Sequence, residues 1–189
     1  MITEEQILDN KSKFIELLTN LEIDLTALTK YLISERVDYF NKPYNNFQNY
    51  AYKGSLCEHS IKLFYELQRL CEIYCPGRYT LQDLIKVSLF KDLYRAELYE
   101  PYFKNVKNET TGQWESILSY RTKEVRPIFG DISFSSYMIA KKFINLDNDE
   151  LVEAIMFSGN SSNIENFNIR KTFKLVTLVT MAELAADYL

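Results

Sequence analysis

Gly54-Ser55-Leu56-Cys57-Glu58-His59-Ser60 and, one segment later, Leu89-Phe90-Lys91-Asp92-Leu93 are the two stretches on which the reading of this chain turns. His59 is the only histidine among 189 residues. It stands at the head of a segment in which Leu56, Leu63, Leu67 and Leu70 recur at helical spacing, which predicts a helix over about 55–74. Pro76-Gly77 closes that helix. Thr80 with Asp83 opens the next, over about 80–94, which carries Lys91 and Asp92.

Upstream, Ile7, Phe14, Leu17, Leu18 and Leu21 mark a helix over about 3–21, with Thr3, Glu4 and Glu5 suited to its N-terminus. Leu25, Leu28 and Leu32 mark a second over about 24–34. The stretch 36–53 is rich in aromatic residues and asparagine, contains Pro43, and reads as an ordered loop. Downstream the period changes. Residues 102–106 and 114–118 flank a polar Lys-Asn-Glu-Thr-Thr-Gly turn, which predicts a β-hairpin at about 100–122. Beyond a loop near 127–130, helices are expected over about 133–143, 147–157 and 169–188. No linker, repeat or low-complexity tract interrupts the chain. The expectation is one domain over 1–189, an all-α helical bundle with a small inserted β-hairpin.

Composition narrows the function classes. Net charge is −4 with acidic and basic residues interspersed, so no footprint for duplex nucleic acid is present. A small basic cluster of Lys104, Lys107, Arg121, Lys123 and Arg126 has the charge to meet a phosphate, although such a cluster is ordinarily a solvated face. Cys57, Cys71 and Cys75 fall in helix-forming sequence, and no further Cys or His completes a zinc site around the i, i+4 pair of Cys71 and Cys75. Reduced, partly buried thiols are expected. Neither a signal peptide nor a membrane-spanning run is read, which suits a cytoplasmic protein without a membrane partner. The excess is in rings, 14 Tyr and 12 Phe, which suit wet pockets and interfaces but also follow from A/T-rich coding.

The layout of His59 on one helix and an Asp92-containing doublet on the next resembles the HD-domain phosphohydrolases. In that family a His, a His-Asp doublet and a late Asp hold one or two metals. By this resemblance His59 matches the first position, Asp92 the Asp of the doublet, and Glu183, in Met181-Ala182-Glu183-Leu184-Ala185, the late acid. The chain looks like the small HD-domain proteins of phages and prophages of Gram-positive bacteria. The similarity is carried by Val37-Asp38-Tyr39-Phe40-Asn41-Lys42-Pro43, by the entry from Tyr52 to Ser60, and by Leu146-Asp147-Asn148-Asp149-Glu150. Asn105-Val106-Lys107-Asn108-Glu109 and Thr111-Gly112-Gln113-Trp114-Glu115 are its most specific part. It spans most of the chain.

The departures from that pattern are systematic. Lys91 stands where the doublet has His, and an ammonium ligates a cation only after losing a proton whose ordinary pKa is about 10.4. The relatives also carry histidines near Gln48, near Asp131 and near Ser158, and none is present here. The resemblance therefore implies an HD-like fold with a degenerate site of His59, Lys91, Asp92 and Glu183, with neither metal nor cofactor. Each residue also has a plainer reading: a hydrogen-bonded structural histidine, a surface ion pair, a solvated helix position.

On this reading the chain is a catalytically inactive protein that acts by binding. The setting of the resemblance suggests an inhibitor or sequestering factor directed at a host protein or a nucleotide-like ligand, in the bacterial cytoplasm. The rivals are a phosphohydrolase using a reduced set of His59, Asp92 and Glu183, and a structural or assembly subunit. Two aromatic stretches are candidate contact surfaces. The loop with Tyr39, Phe40, Tyr44, Phe47, Tyr50 and Tyr52 packs more apolar area into fewer residues, and is preferred to the hairpin with Tyr102, Phe103 and Trp114, while the same rings equally suit a core that covers the pocket mouth.

Overall fold

A computed structural model describes residues 2–124, 131–158 and 174–188. The loop at 127–130, Arg126, and residues 169–173 of the last expected helix lie outside the described residues. Helix α1 (Glu4–Thr19) begins at a capping box, in which Thr3 Oγ1 accepts from the Gln6 amide while the Gln6 side chain accepts from the Thr3 amide. Its buried stripe is Ile7, Phe14 and Leu18. Helix α2 (Thr26–Ile33) buries Leu28 and Leu32, and α3 (Ser55–Tyr74) runs through the middle of the core. Its entry is fixed by Gly54, whose φ of +84° suits glycine. A Cβ at Gly54 would stand 2.8 Å from Ile7 Cγ1, so the same position sets how closely α1 approaches α3.

Thr80 and Asp83 form the second capping box, opening α4 (Leu81–Phe90). The helix expected to reach 94 stops at Phe90. The amides of Leu93, Arg95, Ala96 and Glu97 bond three residues back, at 3.0–3.3 Å, and the Tyr94 amide donates to Ser136 Oγ, around the start of the short α5 (Arg95–Leu98). This tightening follows the pattern of helix ends, and it occurs where the charged pair Lys91 and Asp92 is buried. Strand β1 (Tyr99–Lys107) then pairs antiparallel with β2 (Trp114–Thr122), placing Phe103 opposite Leu118 and Lys107 opposite Trp114. The strands extend beyond the expected segments because Leu98, Tyr99 and Tyr120 are buried at the hairpin base and hold it to the body. At the turn, Asn108 Oδ1 accepts from the amides of Thr110 and Thr111.

Helices α6 (Ile132–Ala140), α7 (Asp149–Phe157) and α8 (Lys174–Tyr188) complete the described chain. Asp131 and Asn148 cap the first two. Helix α3 packs against α8, α4 and α1, and α7 packs against α6, α8 and α4. The protein is mostly helical with one two-stranded antiparallel sheet among the described residues. Among those residues no helix is long and apolar enough to cross a membrane. Cys57, Cys71 and Cys75 are buried and unbridged.

One expectation is corrected here. The loop over 39–52 is not a free aromatic surface. Tyr39, Phe40, Tyr44 and Tyr50 are buried, with the Tyr39 ring 5.1 Å from Phe14 and 5.4 Å from Phe40. Their hydroxyls are satisfied internally: Tyr39 with Ser60 Oγ at 2.9 Å, Tyr44 with Glu183 at 2.9 Å and Tyr50 with the Ala186 carbonyl at 2.6 Å. A ring whose polar tip finds a partner inside gains area burial without a desolvation penalty, so the loop folds inward. Tyr52 is half-buried on Glu58, and only Phe47, 60% exposed, faces solvent fully among the loop candidates. Trp114 and Phe103 on the hairpin are 71% and 73% exposed. Tyr39→Ala should therefore lower unfolding stability by about 3–5 kcal/mol. Phe47→Ala and Trp114→Ala should each stay within about 0.5 kcal/mol of the parent in urea titrations.

Candidate functional site

The last turn of α4 and the turn after it deliver two charges into the interior. Lys91 caps α4, its amide bonded to the Val87 carbonyl, and its side chain is 2% exposed. Its Nζ donates to Asp92 Oδ2 at 2.9 Å and to Glu183 Oε1 at 2.8 Å. Asp92 Oδ1 accepts from Arg95 Nε at 2.6 Å. The Tyr44 hydroxyl donates to Glu183 Oε1 at 2.9 Å, and the Tyr44 carbonyl accepts from Arg95. The Arg95 guanidinium lies 4.2 Å from the centroid of the Tyr44 ring, a cation–π contact. Two cations and two carboxylates thus interlock across α4, α5, the 39–52 loop and α8.

His59 stands beside this cluster on α3. Its ring is fully buried and stacked on Tyr44, with centroids 3.6 Å apart and 18° between planes, while Tyr50 meets it edge-on at 5.4 Å. Nε2 hydrogen-bonds Asp187 Oδ1 at 3.1 Å. Nδ1 has no partner among the described residues. Ser55 at the head of α3 ties the loop down, accepting from the Tyr44 amide and donating toward the Tyr50 and Tyr52 carbonyls.

The charges tune one another. Burial alone works against ionising Asp92, but the Lys91 and Arg95 charges outweigh it and pull the carboxyl well below its ordinary range. Burial likewise works against the Lys91 ammonium, and Asp92 and Glu183 overcome it, so its pKa rises. Arg95 is raised in the same way, chiefly by Asp92 once burial is overcome. Burial, then Asp92, pushes the Tyr44 phenol well up, which keeps it a donor to Glu183.

The structure brings His59, Lys91, Asp92 and Glu183 together, in a packed cluster and not in an open cavity. Asp131 and Ser158 take no part in the cluster's hydrogen bonds: Asp131 caps α6, and Ser158 follows α7. Three members went unread in the sequence. As a sequence position Tyr44 suits an outer surface as well as the core, and Arg95 and Asp187 belong to no motif. Spacing held a signal for two of them, since Arg95 follows Asp92 at i+3 and Asp187 follows Glu183 at i+4.

The donor set does not fit a divalent metal. Asp92 spends one oxygen on Lys91 and the other on Arg95, Glu183 Oε1 holds Lys91 and Tyr44, and His59 Nε2 holds Asp187. Among the described residues no group of three or more His, Cys, Asp or Glu is arranged to hold a metal ion. Comparisons with protein-family models, with curated proteins and with solved structures find no match to this chain.

Two measurements probe the cluster. Lys91→Met leaves buried carboxylates short of a counter-charge and should cost about 3–5 kcal/mol of stability. The double variant Lys91→Met with Glu183→Gln should cost less than the sum of its singles in a double-mutant cycle. The acid response follows from Asp92. Its folded pKa lies below the unfolded value of about 3.9, so the unfolded chain binds the proton first. Stability is then full above about pH 5 and falls as pH drops toward the depressed folded value. Thermal melts from pH 6 to pH 3 should show a shallower decline for Asp92→Asn than for the parent.

Proposed function

We infer that this chain is an HD-like helical scaffold that works by binding and not by metal-dependent hydrolysis. The observation that carries this reading is the Lys91 ammonium between Asp92 and Glu183, with Arg95 on the remaining Asp92 oxygen. Protein-bound positive charge stands where the resemblance implies a dication. An ammonium has no vacant coordination position, so it cannot lower the pKa of a water molecule to make a hydroxide nucleophile. The resemblance to phage proteins supports a role as an inhibitor or sequestering factor directed at a host protein, with a nucleotide-like ligand as the alternative target. The exposed Phe103 and Trp114 on the hairpin support a protein partner, being large rings held away from the core.

Purified protein should therefore show no hydrolysis of nucleoside phosphates with Mn²⁺, Mg²⁺ or Co²⁺. Lys91→His alone should not restore it, because Arg95 and Tyr44 still occupy Asp92 and Glu183. Turnover that disappears in Asp92→Ala or His59→Ala would overturn the reading. In affinity capture from a bacterial host lysate, Phe103→Ala with Trp114→Ala should lose the dominant partner while the melting temperature stays unchanged.

A further inference from the structure

A cavity of about 340 Å³ opens beside the charged cluster, lined by Asn45, Asn49, Tyr50, Asp187 and Tyr188. Its volume lies at the small end of the range for ligand sites, about 300–1,000 Å³. The lining is chemically one-sided. Among the described residues it holds one carboxylate, two carboxamides and two tyrosine rings, and no cationic residue. Lys62 stands behind the Tyr50 wall, its Nζ 3.5 Å from the Tyr50 hydroxyl, and its charge is paired with Glu58 at 3.2 Å.

Asp187 is placed for ligand capture. Its Oδ1 is fixed by the fully buried His59, and its side chain remains 31% exposed. Among the described residues Oδ2 has no hydrogen-bond partner, and the ring of Tyr188 beside it is 81% exposed. The Asn45 carboxamide is also held in place, since its Oδ1 accepts from the Phe47 amide at 3.2 Å. The Tyr50 wall is locked by its bond to the Ala186 carbonyl. A carboxylate on a rigid mount, two carboxamides in the same lining and an open aromatic face form a set that recognises a positively charged organic group.

We propose that this cavity binds an organic cation, a guanidinium or alkylammonium group that pairs with Asp187, donates to the Asn45 and Asn49 carboxamides and lies against Tyr188. A bare metal ion suits the site less, since a single carboxylate with amide oxygens leaves most of its coordination to water. This inference stands apart from the binding reading above, because the cavity uses neither the hairpin nor the Lys91 pair.

The test is a titration of the full chain, followed by amide chemical shifts, with N-butylguanidinium, its neutral analogue butylurea, and the peptide acetyl-Gly-Arg-Gly-amide. Saturable binding of the cations, with shifts at Asn45, Asn49 and Tyr188, is expected. Butylurea should bind at least about tenfold more weakly. Asp187→Asn, which keeps a side chain able to bond His59, should weaken the cation about tenfold. Tyr188→Ala, at an exposed position where folding is not at stake, should weaken it about threefold. Tighter binding of the peptide assigns the cation to an arginine of a protein partner, and tighter binding of butylguanidinium assigns it to a small molecule. Either supports the site. Equal affinity for butylurea, unchanged affinity in both variants, or no saturable binding overturns it.

Discussion

A lysine ammonium at 2% exposure is the constraint around which the rest of this structure is organised. Taking such a charge out of water costs several kcal/mol, and the cost is recovered only if carboxylates meet it at close range with their other lone pairs satisfied. Asp92 and Glu183 do the first part, at 2.9 and 2.8 Å. They in turn are met by Arg95, on the second Asp92 oxygen, and by the Tyr44 hydroxyl, a second donor to Glu183 Oε1. The requirement fixes where α4 must stop, where α5 must begin and which face of α8 points inward. It also draws the 39–52 loop over the cluster, because Tyr44 serves Glu183 with its hydroxyl, Arg95 with its carbonyl and His59 with its ring.

The same arrangement defines what chemistry the cluster can perform. Lys91 and Arg95 together supply two positive charges beside Asp92. Neither side chain offers a Lewis-acid position to a water or a phosphate oxygen. Both Asp92 oxygens and Glu183 Oε1 are engaged with donors a residue or a helix away. A network satisfied to this degree rigidifies and specifies one packing arrangement.

Local rules made the framework legible. The Thr80 and Asp83 capping box, the leucine row of α3 and the polar turn before Trp114 each announce an element within a few residues. The expectation of a helical body with one hairpin therefore matches the described architecture. The break after Phe90 was not legible, because the periodicity of Leu89, Phe90 and Leu93 continues through it while the buried charges require a turn. The rings of the 39–52 loop were misplaced for a related reason. Tyr and Phe content says that area will be buried, but not whether against the core or a partner, and that depends on distant hydroxyl acceptors such as Ser60 and the Ala186 carbonyl. Glu183 was reachable through a motif. Its neighbour one turn on, Asp187, was not, although the two share a helix face.

That shared face links the interior to the surface. Glu183 on α8 ends on Lys91, and one turn later Asp187 ends on His59 at the rim of a cavity. Between them lies Tyr44, bonded to the first and stacked on the partner of the second. The exposed carboxylate is therefore separated from the buried ammonium only by His59, Tyr44 and Glu183, each held in place by its neighbours. A single α-helix carrying two acids four residues apart thus closes a charge-neutral core with one and leaves the other, held by a buried imidazole, facing solvent. The placement of the outer acid depends on the packing that the inner one completes.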